Sequence, residues 1–595
     1  MGLPIRRLRS VSRNAVLLIA PMLMVASAAW AQTRSFYTLT PCRVVDTRNP
    51  QSPLGGPALA ANTTRVFTVA GVCGIPAGAG SIAVNVTVTQ ATTGGYLRMF
   101  PAGVPPPGSS SVNYSVGQTR ANNGIYAISG SGQLSVDCMQ ASGTAQLIID
   151  VFGWFEGAPP PTGTGTQIWA RRLSGSGAFD NAFASGIAVD GAGNVVVVGA
   201  FQNSVDFGGG SLTSAGGIDM FVAKYSASGA HLWSRRFGGA SDDYGEAVTV
   251  DGAGDVAVAG YFSGSADFGS GVLTSAGGTD AVVAKYSSNG TAVWSRRFGG
   301  TGTDRALGIG SDASNNLVLT GYFCATVDFG GGPLTSAGLA DAFLVKYSST
   351  GGHVWSKRFG GTSSDVPLGI AVADGGNIAM TGYFQGTANF GGQNLTSAGV
   401  NDIFAASYDS TGRELWSKAW GNSADDRGTS IAIDGQGSVI VTGSFTGDVD
   451  FGGGRIPNSG GSDIFLVKYS SNGMHQWSRS YGTTAAVGDI ANAVAVDGAN
   501  NVLLTGSIVG AVDFGGGALA GNGSYDVFIA KFRSDASHVW SKRAGALYDD
   551  HGWGIAADST GNVFSTGDFY QSINFGGGAL VNEAGTDSYV VKLTP

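Results

Sequence analysis

Residues 186–201 read GIAVDGAGNVVVVGAF and residues 219–239 read DMFVAKYSASGAHLWSRRFGG. Four strand-like runs follow one another there: GIAVD (186–190), VVVVGAF (195–201), DMFVAKY (219–225) and HLWSRRF (231–237), named a, b, c and d. The a/b link DGAGN and the c/d link SASG are made of Gly, Asp, Asn and Ser, which supply the positive φ angles of tight hairpin turns. The unit therefore predicts a four-stranded meander. It recurs along the chain, each copy marked by Trp169, Trp233, Trp294, Trp355, Trp416, Trp477 and Trp540 at spacings of 64, 61, 61, 61, 61 and 63 residues. A fixed period of this size means one supersecondary unit repeated, each too small to bury a core alone and stable only when stacked.

Strand a occurs seven times, its turn beginning at Asp190, Asp251, Asp312, Asp374, Asp434, Asp497 and Asp558. The array opens on a lone d strand, QIWARRL (167–173), and finishes on a lone c strand, DSYVVKL (587–593). The first strand is expected to complete the last unit, which predicts an all-β, seven-bladed β-propeller closed by its N-terminal strand. Closure removes two sheet edges that would otherwise be exposed. The composition agrees, with 98 Gly in 595 residues, 12% charged residues and a steady supply of Val, Phe, Tyr and Trp that argues against disorder.

The strings GIAVDGAGNVVVVGAF and DMFVAKYSASGAHLWSRRFGG, with their six relatives, resemble the bacterial SBBP (seven-bladed β-propeller) repeat across residues 167–595. That resemblance implies an architecture; propellers host binding, scaffolding and catalysis alike. Residues 32–156 read as a small β-sandwich domain, from runs such as SIAVNVTVT (81–89), GYLRMF (95–100), QLSVD (133–137) and AQLIIDVFGWF (145–155). Its strings FYTLTPCRVVDTR, GVCGIP, NVTVT, GQTRANN and LIIDVFGWF resemble a module of unassigned function in secreted bacterial proteins. A Pro/Gly/Thr linker, GAPPPTGTGT (157–166), separates it from the repeats.

Arg6, Arg7, Arg9 and Arg13 precede the apolar run AVLLIAPMLMVA (15–26) and the small-x-small site Ala29-Trp30-Ala31, so residues 1–31 are expected to be a cleaved signal peptide. No run is long enough to span a membrane. Removal of the leader takes four arginines and no acids, moving the formal charge from −8 to −12. An acidic, exported chain disfavours nucleic acid and points to an extracellular or envelope protein or glycan as partner, with the chain monomeric. Export also makes a disulfide the default for cysteines that share a domain. Of Cys42, Cys73, Cys138 and Cys324, the pair Cys42 and Cys73 is the expected bond, because both lie in strings that carry the module's resemblance.

His231, His353, His475 and His538 each stand one or two residues before a repeat tryptophan in different units, too far apart to share a metal; His551 lies elsewhere, in LYDDHGWG. No CxxC, HExxH, GxSxG or phosphate-loop pattern occurs. The tryptophan placement also looks like the repeat of pyrroloquinoline-quinone dehydrogenases, but the vicinal cysteines expected over that cofactor are missing, and the tryptophans read as packing anchors. Aspartates recur in the d/a connections at Asp180, Asp242, Asp304, Asp365, Asp425, Asp489 and Asp549, often doubled as in Asp243, Asp426 and Asp550. In a meander the d/a and b/c connections share a face, so these carboxylates would form a circle beside Gly-rich loops such as VDFGGGSLTSAGG. Such a face would bind Ca²⁺, a cationic peptide or a sugar; alternatively each aspartate serves its own turn. A second series, Asp219, Asp280, Asp341, Asp402, Asp463, Asp526 and Asp587, opens every c strand and reads as structural. Departures from the repeat gather in units four to six: Ser407 for lysine, Ala419 and Ser480 for arginine, and Pro367. The expected function is that of an exported interaction or scaffold protein. The rivals are a polysaccharide lyase or hydrolase using Asp549 and Asp550 beside His551, and a passive spacer.

Overall fold

The computed structural model describes residues 36–76, 79–102, 106, 109–129, 132–156, 164–175, 180–521 and 523–595. The expected signal peptide, 1–31, lies outside the described residues, as do residues 157–163 of the expected linker. Among the described residues every regular element is a strand, and no helix is long and apolar enough to cross a membrane. The chain divides into two compact units, residues 1–160 and 161–595.

In the first unit, strands Phe36–Asp46, Thr144–Glu156, Ala79–Thr89 and Arg120–Ala127 form one antiparallel sheet, and Thr63–Thr68, Gln133–Gln140, Gly95–Pro101 and Val112–Tyr114 form another. The inward residues of both, among them Val84, Val86, Leu97, Leu134 and Ile149, meet in a single apolar core. Cys42 and Cys73 are joined by a disulfide, while Cys138 and Cys324 are free.

The second unit is built as the repeat dictates. In the second repeat, strands a (Asp243–Val250), b (Val256–Phe262), c (Asp280–Tyr286) and d (Ala292–Phe298) pair in the order a-b-c-d, and the other repeats do the same. Strand d of the last sheet is Gln167–Leu173, which pairs antiparallel with Ala579–Leu593. Each c/d link is a type I turn followed by one positive-φ residue, as at Ser226–Ala230, where the Gly229 N–H donates to the Ser226 carbonyl and φ of Gly229 is 82°.

The repeat tryptophan explains why that residue is glycine. The Trp233 indole N–H donates to the Ser288 carbonyl of the next repeat at 3.1 Å, and a Cβ on Gly290 would come within 2.8 Å of the same indole. Trp294, Trp355, Trp416 and Trp477 repeat the bond onto Ser349, Ser410, Ser471 and Ser534, and Trp169 bonds Ala227 of the first repeat in the same way. Trp540 packs against Gly165 instead, and its indole N–H is buried without an acceptor.

Buried lysines lock each sheet to its own a/b turn. Lys224, Lys285, Lys346, Lys468, Lys531 and Lys592 pair with Asp190, Asp251, Asp312, Asp434, Asp497 and Asp558. In the fourth repeat both partners are gone together: Ser407 stands for the lysine, and Ala373 takes the turn position, with Asp374 one residue beyond it. An unpaired buried charge of either sign would be destabilising, so the two losses compensate.

The Gly-rich b/c segments are not open loops. In the third repeat Thr326–Asp328 and Pro333–Thr335 form a short hairpin capped by Asp328, whose carboxylate accepts the N–H groups of Gly330 and Gly332. The adjoining Phe329 is buried among Phe298, Val327 and Tyr347, in the core shared by neighbouring sheets. The expected face of free Gly-rich loops is corrected accordingly: the phenylalanine of each DFGG string ties its loop into the interior.

Candidate functional site

The seven aspartates expected on one face do not form a circle of equivalent carboxylates. Asp304, Asp365 and Asp489 occupy the same place as Asp243, Asp426 and Asp550, where all six are 0–1% exposed. Five of the six accept backbone N–H groups from two directions, as Asp304 does from Gly300 at 2.8 Å and Cys324 at 3.0 Å, whereas Asp365 accepts the Gly361 N–H and keeps its other oxygen buried without a partner. Asp242, Asp425 and Asp549 stand one residue earlier and are exposed; Asp242 accepts the Ile218 N–H and Asp425 pairs with Arg427. Asp180 lies off both positions, and Ala182 fills the buried place in the first repeat. Among the described residues no group of three His, Cys, Asp or Glu side chains is placed to hold a metal ion.

Burial dominates the electrostatics of these acids. It pushes Asp243, Asp365 and Asp550 up to about 7 and Asp426 and Asp489 up to about 6, with backbone hydrogen bonds opposing it. The c-strand series is buried too. Arg236, Arg358, Arg543 and Arg172 answer Asp219, Asp341, Asp526 and Asp587 with ion pairs. Ala419 and Ser480 remove that answer from Asp402 and Asp463, whose carboxyls burial holds above the ordinary range.

Variation concentrates where strand a bulges. In every repeat the a/b ladder skips one residue: Ser185, Glu246, Leu307, Leu368, Thr429, Asn492 or Trp553. Such bulges re-aim side chains. All seven line one cavity of about 230 Å³, together with an aliphatic set, Ile187, Val248, Ile309, Ile370, Ile431, Val494 and Ile555. Apart from two valines, the aliphatic set is uniform; the bulge set differs at every repeat except Leu307 and Leu368.

Beside this cavity the last repeat carries a second pocket, of about 590 Å³, lined by Phe183, Leu547, Tyr548, Asp549, His551, Asp568 and Tyr570 among others. His551 and Asp568 are cross-strand neighbours, and His551 Nδ1 lies 2.8 Å from the Ser507 hydroxyl. The Trp553 indole N–H donates to Asp568, whose carboxyl is raised by burial and lowered by His551. Tyr548 and Tyr570 meet edge-on at 5.0 Å between centroids and are 46% and 39% exposed. Where the last repeat has Tyr570, five others have Ser263, Cys324, Gln385, Thr446 and Val509, and none of those is aromatic. The expected grouping of His551 with Asp549 and Asp550 is thereby altered: Asp549 and His551 share the pocket, but Asp550 is turned inward onto the Ala546 and Tyr570 N–H groups.

No protein-family model matches the chain. An uncharacterized WD repeat-containing protein of Acanthamoeba polyphaga mimivirus is 23% identical over 436 residues, covering 58% of this chain and 31% of that protein. Regulatory protein FlaEY of Caulobacter vibrioides is 26% identical over 246 residues, covering 38% of this chain and 25% of its own length. The chain thus spans about a third or less of the curated relatives it matches. Among solved structures, virginiamycin B lyase from Staphylococcus aureus aligns over 71% of this chain and 99% of that chain at 9% identity and a TM-score of 0.29. Rhamnogalacturonan lyase YesW aligns over 83% and 84% at 12% identity and a TM-score of 0.29. The chain is a propeller-like, all-β repeat protein with a WD-repeat-like relative.

Sequence reasoning passed over Glu246, Trp553, Asp568 and Tyr570. Their signal was present as positions where aligned copies disagree, ASGIAVD against GEAVTVD and GWGIAAD, but without the bulge nothing set that column apart from drift.

Proposed function

We propose that the chain is an exported binding protein of the SBBP type whose seven sheets close into a seven-bladed propeller, and that it holds a glycan or a protein segment at the Tyr548–Tyr570 pocket. Closure is supported by the pairing of Gln167–Leu173 with the last c strand and by Trp169 and Lys592, which bond Ala227 as other repeats bond their successors. The observation that carries the binding role is the exposed aromatic pair Tyr548 and Tyr570 beside Asp549, at a place where the other repeats have no aromatic residue. Exposed rings stack on sugar faces or apolar side chains, and a neighbouring carboxylate orients hydroxyl or amide donors.

Glycan and peptide arrays probed with the mature chain, then repeated with Tyr548→Ala/Tyr570→Ala, test this reading. Expected is a defined ligand class whose affinity falls by about tenfold or more in the double variant. Unchanged binding by the variant would remove the pocket from the function. The second reading, a polysaccharide lyase or hydrolase, is favoured by the facing His551 and Asp568, a base and an acid in one pocket. Turnover abolished by His551→Gln would establish it; binding without turnover would leave a binder.

A further inference from the structure

The fifth and last repeats carry the same acidic pair at the head of strand a, in Asp425-Asp426-Arg427 and Asp549-Asp550-His551. In the fifth, the Arg427 guanidinium bonds the Asp425 carboxylate at 2.9 Å and lies over the Tyr383 ring at 4.9 Å, so the exposed acid is answered from within the chain. Across the a/b ladder Arg427 faces Ser444. In the last repeat the same two ladder positions hold His551 and Asp568, so an imidazole replaces the guanidinium and a second carboxylate replaces the hydroxyl. The pocket of about 590 Å³ opens there, and no lysine or arginine is among the described residues that line it. Asp549 is exposed, and its one hydrogen bond to another described residue comes from the Tyr525 N–H, at 3.4 Å to Oδ1. Asp568 also lines the pocket and is only 8% exposed; its Oδ1 accepts the Trp553 indole N–H, and no other described residue bonds its Oδ2. Around these acids stand Phe183, Tyr548 and Tyr570, all exposed, with the two tyrosine rings inclined at 60°.

Resting on the binding role given to this pocket, we propose that it recognises a glycan through a free amino sugar, whose ammonium takes the place that Arg427 holds in the fifth repeat. The ammonium answers Asp549 and the open side of Asp568, and the sugar ring lies against a tyrosine face. An ammonium is attracted both to carboxylates and to the faces of aromatic rings, and the pocket offers the two together. Its size suits a whole small ligand rather than one side chain, and Ser524, Thr586 and His551 in its lining are partners for sugar hydroxyls that a lysine side chain lacks. An acetylated amine or a plain hydroxyl carries no charge and would leave Asp549 unanswered.

The test is isothermal titration of the full chain, at about pH 6 where amines are charged, with oligomers of glucosamine, of N-acetylglucosamine and of glucose. Expected is binding of the glucosamine oligomer at least about tenfold tighter than that of the other two. Asp549→Asn, which keeps an oxygen for the Tyr525 N–H, should erase that preference. His551→Arg recreates the pair of the fifth repeat and should abolish the binding with the melting temperature unchanged. Equal binding of all three oligomers, lost in Tyr548→Ala/Tyr570→Ala, would overturn the amine recognition and keep the pocket as a binding site. Binding of none would overturn it and leave the broader role to the arrays. A lysine-rich peptide bound as tightly as the glucosamine oligomer, with the same dependence on Asp549, would overturn the assignment to a sugar.

Discussion

The fourth repeat shows what a single side chain is allowed to do. Ser407 is buried, so Ser407→Lys alone places an ammonium where its usual aspartate is missing, at an expected cost of about 3 kcal/mol. Adding Ala373→Asp should recover at least about 1 kcal/mol of that in a double-mutant cycle followed by urea unfolding; additive losses would show the pair to be independent. The buried d/a aspartates set a pH dependence of known sign. Their folded values of about 6 to 7 lie above the ~3.9 of an unfolded carboxyl. The folded chain therefore binds these protons more tightly. The stability so contributed is fully present below ~3.9 and is lost as pH rises through about 6 to 7. The melting temperature should be higher at pH 5 than at pH 8, and Asp365→Asn should shrink the difference. A higher melt at pH 8 would contradict the burial assigned to these groups.

Strand d of the last sheet is the element on which the repeat unit most depends. Deleting residues 167–174 removes the partner of Ala579–Leu593 and the Trp169 bond to Ala227, and should lower the melting temperature by about 5 °C or more; an unchanged melt would refute its role. This strand was legible in the sequence because QIWARRL copies the d pattern and no a, b or c run precedes it. Strands b, c and d were legible within a few residues for the same reason. Strand a was not: GIAVD at 186–190 extends in the structure to Asn181–Val189, because the bulge at Ser185 breaks the alternation that marks a strand. The b/c segments were misread as loops, since Gly-rich strings signal turns while the burial of Phe329 depends on the neighbouring sheet.

In the whole chain the two units carry different kinds of reinforcement. The Cys42–Cys73 bond spans 31 residues, a loop whose closure is worth about 3–4 kcal/mol to the first unit. Reduction should therefore lower one calorimetric transition and leave that of residues 161–595 in place; a shift of both would show the units to be coupled. The candidate site was the least legible part. The recurrent aspartates that repetition made conspicuous serve the backbone, while Glu246, Tyr548 and Tyr570 occur once each at their repeat positions and stand out only when the copies are superposed in space. The pairing of Gln167–Leu173 with Ala579–Leu593 also bears on how the chain reaches this state. Most other ladders in the repeats join neighbours in sequence, but this one closes a loop of more than 400 residues, as the Thr166 to Thr594 contact at a separation of 428 shows. Loop closure on that scale costs about 5 kcal/mol of chain entropy. The six repeats with their own d strands can order early and locally, whereas the last sheet must await an encounter between the two ends, and the slowest step of folding belongs there.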